Sequence, residues 1–362
     1  MRVGIIGGGV IGCAIAWRLA PHGAAVTVFE HRGVGTGATQ ASAGALVPYV
    51  EAHEPSPLQD LTVRSLNLFD QFIEELRAET RKPIDYARCG SLEVAFTEDE
   101  EERLRAIAAR NEAAGVRWID TAETLKLEPT LSPAVRGSLA VDQHGYVSAP
   151  QLTQALADAA VMAGAFFRDA RVTDIGPAGE SAEIATDSGA VERFDRIVVA
   201  SGAWARLLDI EGAPRLPIRP IKGQLLRLRG LRPSRLVWSR DCYVVPQQTG
   251  DVLVGATVED AGFDERATVA GLAQLVTAAM ALVPSIGQGE FVEARVGLRP
   301  ATADNLPLVG YAQDSTAIAY AVGHFRNGIV LAPLTARIVA ELILDNVIDP
   351  ALAILSPSRL GM

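Results

Sequence analysis

Residues 4–12 read GIIGGGVIG, and a glutamate stands at position 30. Val3, Ile5 and Ile6 predict a short buried strand. Gly7, Gly9 and Gly12 carry the G-x-G-x-x-G spacing that opens a helix, expected over residues 13–19. Gly7 permits the tight turn, the missing Cβ of Gly9 lets backbone approach a pyrophosphate, and Gly12 lets the helix lie close on its strand. A second strand, expected over 25–29, delivers Glu30 where a carboxylate accepts hydrogen bonds from ribose hydroxyls. A glycine triplet alone is a weak signal. With a strand before it, an apolar helix after it and an acid at the end of the next strand, it predicts a bound dinucleotide.

The chain has 362 residues, 49% of them hydrophobic, with 33 glycines and a net charge of −10. That length exceeds one ordinary core and predicts two domains sharing a long interface. The acids are dispersed, and a nucleic-acid partner is not expected without a basic face to displace counterions. Cys13, Cys89 and Cys242 form no C-x-x-C pair, so disulfides and metal cages are not expected and a cytoplasmic location is. The first twenty residues hold an arginine and an apolar run, but five glycines interrupt it. The same residues complete a strand-turn-helix unit, so a secretory signal is not expected. Nor is a membrane span, since no run reaches about 18 uninterrupted apolar residues.

Further along, residues 31–46 are rich in Gly, Ala, Ser and Thr and suit a backbone surface running beneath the second part of a cofactor. Apolar residues at helical spacing predict one long amphipathic helix over 61–79. Residues 90–96 alternate like a strand, and Thr97 with Glu100 predicts a capping box for a charged helix over 98–114. The order of elements over 120–146 is not legible. Ser148 with Gln151 predicts another capping box, with Pro150 in the first turn of a helix over 152–163. Strands are expected at 165–175, 182–186 and 194–200, the last running into the small-residue turn around Ser201 and Gly202, where backbone approaches ligand. After three prolines the strands expected at 223–229, 235–238, 242–246 and 252–258 predict an antiparallel sheet, interrupted by a helix over 269–283. Residues 293–299 and 317–322 return to strand patterning. GHFRNG at 323–328 opens a terminal helix reaching about residue 344, and Pro333 makes its first turn irregular or its start later than Gly328.

The fold class expected is therefore α/β, with a discontinuous Rossmann-like dinucleotide domain (1–80, 145–215 and 297–362) and an inserted antiparallel-sheet substrate domain (81–144 and 216–296). Three clusters outside the opening motif carry chemistry. Arg299, at the end of an apolar strand and held by Pro300, presents a forked donor set that matches a carboxylate. Tyr243, on another strand, is placed to donate to the same group, although a strand tyrosine is more often a core residue. Residues 323–328 resemble a second helix start, with amides for an electron-rich part of a cofactor. His324 has no carboxylate or serine partner of a triad. The five histidines show no metal-ligand spacing, so no metal is expected.

These segments resemble the amine-oxidising flavoproteins of the D-amino acid oxidase superfamily, most closely its glycine oxidase branch. The resemblance runs nearly full length through GIIGGGVIGCAIAWRLA (4–20), FE (29–30), ASAGAL (41–46), VVASGAW (198–204), IKGQLL (221–226), CYVVPQQTGDVLVGAT (242–257), GLRPATADNLPLVG (297–310) and GHFRNGIVLAP (323–333). It implies a non-covalent FAD. The adenylate end would meet Gly7, Gly9, Val10, Ile11, Gly12, Glu30 and His31, with Val172 at the adenine. Ala38, Thr39, Ala43, Gly44 and Ala45 would pass under the middle and flavin end, with Ser201 and Gly202 in contact. His324, Phe325, Arg326, Asn327, Gly328, Ile329 and Val330 would hold the isoalloxazine.

It also implies that Arg299 and Tyr243 hold a substrate carboxylate, with Arg326 beside the substrate. The reaction implied is oxidation of a small amino acid to an α-keto acid, ammonia and hydrogen peroxide, with O2 as acceptor and a link to thiazole (thiamine) synthesis. Members of the branch commonly carry methionine where Ala45 and Val258 stand, so the pocket expected is roomier. It leaves glycine, sarcosine, D-alanine and D-proline open as substrates. A dehydrogenase passing electrons to a quinone or a partner protein, a flavin module acting on tRNA or within a multi-subunit enzyme, and a homo-oligomeric state also stay open.

Overall fold

The computed structural model describes residues 1–51, 56–231 and 233–362. Its centre is a six-stranded sheet in the order Leu308–Tyr311, Ile318–Val322, Arg196–Val199, Arg2–Ile6, Ala25–Phe29, Phe166–Arg168. All neighbours are parallel except the first pair. The central strands are apolar over most of their length because both faces are covered, with polar residues such as Arg2 and Arg196 at strand ends. Val3, Ile5, Val26, Val28 and Val198 face a layer of helices that includes Val10–Leu19, Ala149–Met162 and Gly328–Asp345. Ile6, Phe29, Ile197 and Val199 point the other way. They pack against a smaller sheet of the strands Val191–Phe194, Ser181–Thr186, Val172–Ala178 and Asp209–Ile210, where Phe29 meets Phe194 edge-on at 5.8 Å.

An eight-stranded sheet forms the second body, in the order Glu290–Ala301, Arg219–Arg229, Asp251–Gly255, Tyr243–Pro246, Leu236–Trp238, Ser91–Ala95, Gly137–Val141, Arg117–Asp120. It is antiparallel apart from the pair Leu236–Trp238 with Ser91–Ala95. The helices Val269–Leu282 and Glu98–Arg110 cover it. Thr97 and Glu100 form the expected capping box. Among the described residues no helix is long and apolar enough to cross a membrane.

Four expectations change. The helix over 61–79 is two, Pro57–Leu66 and Phe69–Thr80. The first packs on Gly328–Asp345 and the second on Ala149–Met162, so one apolar stripe serves two partners and the chain bends between them. The box at Ser148 does not form: Ser148 makes no side-chain cap, and Gln151 Oε1 instead accepts the Asp85 N–H at 2.6 Å. The run 165–175 divides into Phe166–Arg168 and Val172–Ala178, because the chain crosses there between two sheets. Likewise 194–200 divides between Val191–Phe194 and Arg196–Val199.

The terminal helix begins at Gly328 with Pro333 inside it. Pro333 has no N–H to give, and the next amide, Leu334, donates to Ser65 Oγ at 3.3 Å. Ser65 is fully buried. Ser65→Ala is therefore expected to lower stability by about 1 kcal/mol, the net worth of a buried hydrogen bond. Urea unfolding of the two proteins side by side checks it.

Candidate active site

A cavity of about 1000 Å³ opens between the two large sheets, at the upper end of ordinary ligand pockets. Of the residues expected to meet a cofactor or substrate, every one but Gly12 lines it. Gly12 serves packing instead: a Cβ there would lie 2.0 Å from Gly7 O, so any side chain would push the helix off its strand. Gly7, at φ +109°, makes the turn. At Gly9 an added Cβ would meet no protein atom closer than 3.5 Å, so this face is open to a ligand and not filled by packing.

The rest of this half supplies donors. Glu30 is pinned through both oxygens, accepting from the Gly8 N–H at 2.9 Å and the Arg32 N–H at 2.7 Å, which leaves lone pairs for hydroxyl donors. Thr39 Oγ1 accepts from the Val10 N–H at 3.3 Å, whereas the N-cap residue Gly9 offers the helix no side chain. Val10 and Ile11, in the first turn of that helix, line the cavity, and of the amides such a turn cannot satisfy internally that of Val10 is taken by Thr39. Ser201 Oγ is buried with no partner among the described residues, beside the turn at Gly202. His31 and Val172 complete the wall. Cys13 lies beneath it, its thiol on Gly8 O at 3.3 Å and pushed up by burial, so it is no nucleophile at neutral pH.

The other half is built on small residues and a second helix start. Ala38, Ala43, Gly44 and Ala45 run along it. Gly44 needs its glycine, since at φ +71° a Cβ would lie 1.7 Å from Val147 O. Across the space, Phe325 at φ +48° turns the chain into the terminal helix, whose first residues Gly328, Ile329 and Val330 line the cavity with Asn327 giving no side-chain cap. His324 is buried and its Nε2 pairs with Thr335 Oγ1 at 3.1 Å; burial lowers its pKa to about 3.

Two side chains at the cavity wall rest on strand glycines. Tyr243 pairs in register with Gly255, and its hydroxyl would lie 2.4 Å from a Cβ added there. Its ring stacks on Trp238 at 4.5 Å. The Arg299 guanidinium covers Gly223, where a Cβ would lie 2.4 Å from its terminal nitrogens, and donates to Thr257 O at 3.0 Å. Thr257 is fixed in turn: its hydroxyl donates to Glu259 at 2.5 Å and accepts from the Gln224 N–H at 2.9 Å. Burial pushes the Glu259 carboxyl up, but hydrogen bonds from Thr257 and Gln224 and the Lys222 ammonium hold it below the ordinary range. Arg326 is exposed at the wall, 5.5 Å over the Phe325 ring. Ala45 and Val258 both line the cavity, and Val258 is 55% exposed.

The sequence of the FAD dependent oxidoreductase (DAO) family matches residues 2–342. The chain belongs to that family. It is 37% identical over 348 residues to the glycine oxidase of Geobacillus kaustophilus, covering 94% of this chain and 92% of that one. The crystal structure of glycine oxidase from Geobacillus kaustophilus superimposes with a TM-score of 0.93 over 99% of both chains. A bifunctional protein ThiO/ThiG of Nostoc is 34% identical, covering 98% of this chain and 54% of that longer one. The protein is thus an FAD-dependent oxidoreductase. The cavity fits the cofactor at three points: the open face of Gly9, the helix starts at Val10 and Gly328 whose N-cap residues give no side-chain cap, and the Ser201 hydroxyl, buried without a partner among the described residues.

Trp238, Trp204, Arg32, Gly223 and Gly255 line the same cavity and were not singled out from the sequence. For Gly223 and Gly255 the legible signal is a glycine inside a strand, which marks close approach of another group.

Two buried histidines give the fold a pH dependence. His144 donates from Nδ1 to Ser91 Oγ at 2.7 Å while its Nε2 accepts the Tyr49 N–H at 3.4 Å, and burial, with the Arg88 guanidinium, lowers its pKa to about 3. Folded values near 3 lie below the unfolded value near 6.5. Stability is therefore whole above about pH 6.5 and falls as pH drops toward 3, because the unfolded chain takes up protons the folded chain refuses. His324→Asn is expected to remove about one proton from the uptake on unfolding in acid, and so to make the melting temperature fall less steeply as pH drops. A melting series from pH 7 to about pH 4 checks it.

Proposed function

We propose that the protein oxidises glycine or another small amino acid at the α-carbon, releasing the α-keto acid and ammonia after hydrolysis of the imine, with O2 as acceptor and hydrogen peroxide as by-product. The observation that carries this reading is the pair Arg299 and Tyr243, each seated on a strand glycine and lining the same cavity as the helix start at Gly328. Arg299 grips the substrate carboxylate through its forked donors and Tyr243 donates to the same group, a charge-assisted contact worth roughly 1.5–3 kcal/mol. Arg326 lies beside the substrate. The residues around Gly9 and Glu30 take the adenylate end of FAD, Ala38 to Ala45 the middle, and the segment from His324 to Val330 the flavin. FAD, held by these residues, would supply the two-electron acceptor.

What the chain's own residues do is orient. His324 is neutral and tied to Thr335, and Cys13 is protonated, so neither serves as a base. Positioning of the α-carbon against the flavin carries the rate, as reactions of this kind permit. The likeness to ThiO/ThiG supports a use of the product imine in thiazole synthesis.

An amino-acid panel assayed by peroxide release tests the reading. Turnover of glycine, sarcosine, D-alanine or D-proline with peroxide supports it; flavin bleached by these substrates without peroxide names a different acceptor; no response to any of them overturns it. Arg299→Ala is expected to raise KM at least roughly tenfold with FAD still bound, and unchanged kinetics remove Arg299 from the site. Val258→Met, which narrows the wall, is expected to shift the profile toward glycine in the same panel.

A further inference from the structure

Three consecutive side chains in the loop between Asp251–Gly255 and Val269–Leu282 reach two places, Phe263 and Glu265 the pair Arg32 and Trp204 and Asp264 the ammonium of Lys222. Phe263 lies against Trp204 at 6.2 Å between ring centroids. Asp264 stands 4.0 Å from the ammonium of Lys222, which is 1% exposed. Glu265 accepts twice from Arg32 Nη2, at 2.8 and 3.0 Å. Arg32 itself sits over Trp204, its guanidinium carbon 4.2 Å from the ring centroid. Arg32, Trp204, Phe263 and Glu265 all line the cavity. The loop is therefore a strap that runs from the eight-stranded sheet to the half of the cavity containing Gly9 and Glu30.

One nitrogen in this arrangement is left over. Arg32 Nη1 is buried and has no hydrogen-bond partner among the described residues. A guanidinium N–H out of water without an acceptor is costly, and Glu265 is already engaged by the other nitrogen. The surroundings say which acceptor belongs there. The Arg32 amide binds Glu30. Trp204 abuts Gly37, 3.2 Å from where its Cβ would be, and Gly37 leads into the turn Ala38–Ala41, whose Thr39 hydroxyl takes the Val10 amide. Nη1 thus belongs to the same wall as the start of the helix Val10–Leu19, where negative charge is favoured.

We propose that Arg32 binds the diphosphate of FAD through Nη1, and that Glu265 is the positioning residue that fixes the guanidinium plane while Phe263 and Trp204 hold the strap shut. This rests on the reading of the cavity as the FAD site. Because Asp264 ties the same loop to Lys222, whose carbonyl accepts from Arg299 at 3.4 Å, the strap joins the cofactor seat to the carboxylate seat.

The test uses the full chain freed of flavin, with FAD, ADP and adenosine as probes in calorimetric titration and melting of the flavin-free protein as a separate readout. Arg32→Ala is expected to weaken FAD and ADP at least roughly tenfold, the size of a lost charge-assisted hydrogen bond. Adenosine affinity and flavin-free melting should stay as in the unaltered chain. Arg32→Lys, which keeps the charge and loses the fork, should fall between. Glu265→Gln should speed FAD release, followed by flavin fluorescence, with a smaller loss of ADP affinity than Arg32→Ala. Equal losses for ADP and adenosine would mean general loosening and overturn the diphosphate contact, as would unchanged FAD and ADP binding in Arg32→Ala. An unaltered chain that takes up no FAD overturns the cofactor reading itself, a result distinct from failure of the strap.

Discussion

Two helices, Val10–Leu19 and Gly328–Asp345, pack against each other, and the first turns of both line one cavity. A helix start leaves amides unsatisfied and carries partial positive charge. Neither N-cap residue, Gly9 or Asn327, closes its helix with its own side chain, and Thr39 takes only the first amide of the first helix. The close contact of Gly12 with Gly7 O sets the first helix on its strand, and the bend between Pro57–Leu66 and Phe69–Thr80 lets Ser65 reach the terminal helix at its proline. The parallel sheet and its two covering layers hold these starts side by side. An elongated acceptor-rich molecule such as FAD answers both at once.

The eight-stranded sheet contributes the opposite wall by a different device. Gly223 and Gly255 lack side chains on neighbouring strands, and the Arg299 and Tyr243 side chains lie in the space so made. Arg299 is further fixed through Thr257 O, itself held by Glu259 and Gln224. A guanidinium so held would lose little freedom on gripping a carboxylate, the role proposed for it. Ala45 and Val258 leave this wall open, which bears on substrate size and not on the grip.

The opening motif was legible because its demands are local: a turn, a close approach and an acid at a strand end all lie within thirty residues. Arg299, Tyr243 and the segment after Gly323 were legible through their strand ends and glycines together with the family resemblance. Other features were hidden because distant partners decide them. The bend near residue 67 depends on which helices lie beneath each half, and Gln151 is drawn from Ser148 to the amide of Asp85, 66 positions away in the sequence. Arg32 and Glu265 lie 233 positions apart, and nothing in either local sequence announces that they meet.

The central claim is that this cavity holds FAD where an amine substrate is oxidised. Rapid anaerobic mixing of the FAD-loaded protein with glycine and small D-amino acids tests it most directly, because loss of the yellow flavin absorbance reports electron transfer from substrate before any acceptor acts. The account predicts that at least one of these amines bleaches the flavin at a rate that saturates with its concentration. A flavin that is bound yet stays oxidised with every one of them would contradict it.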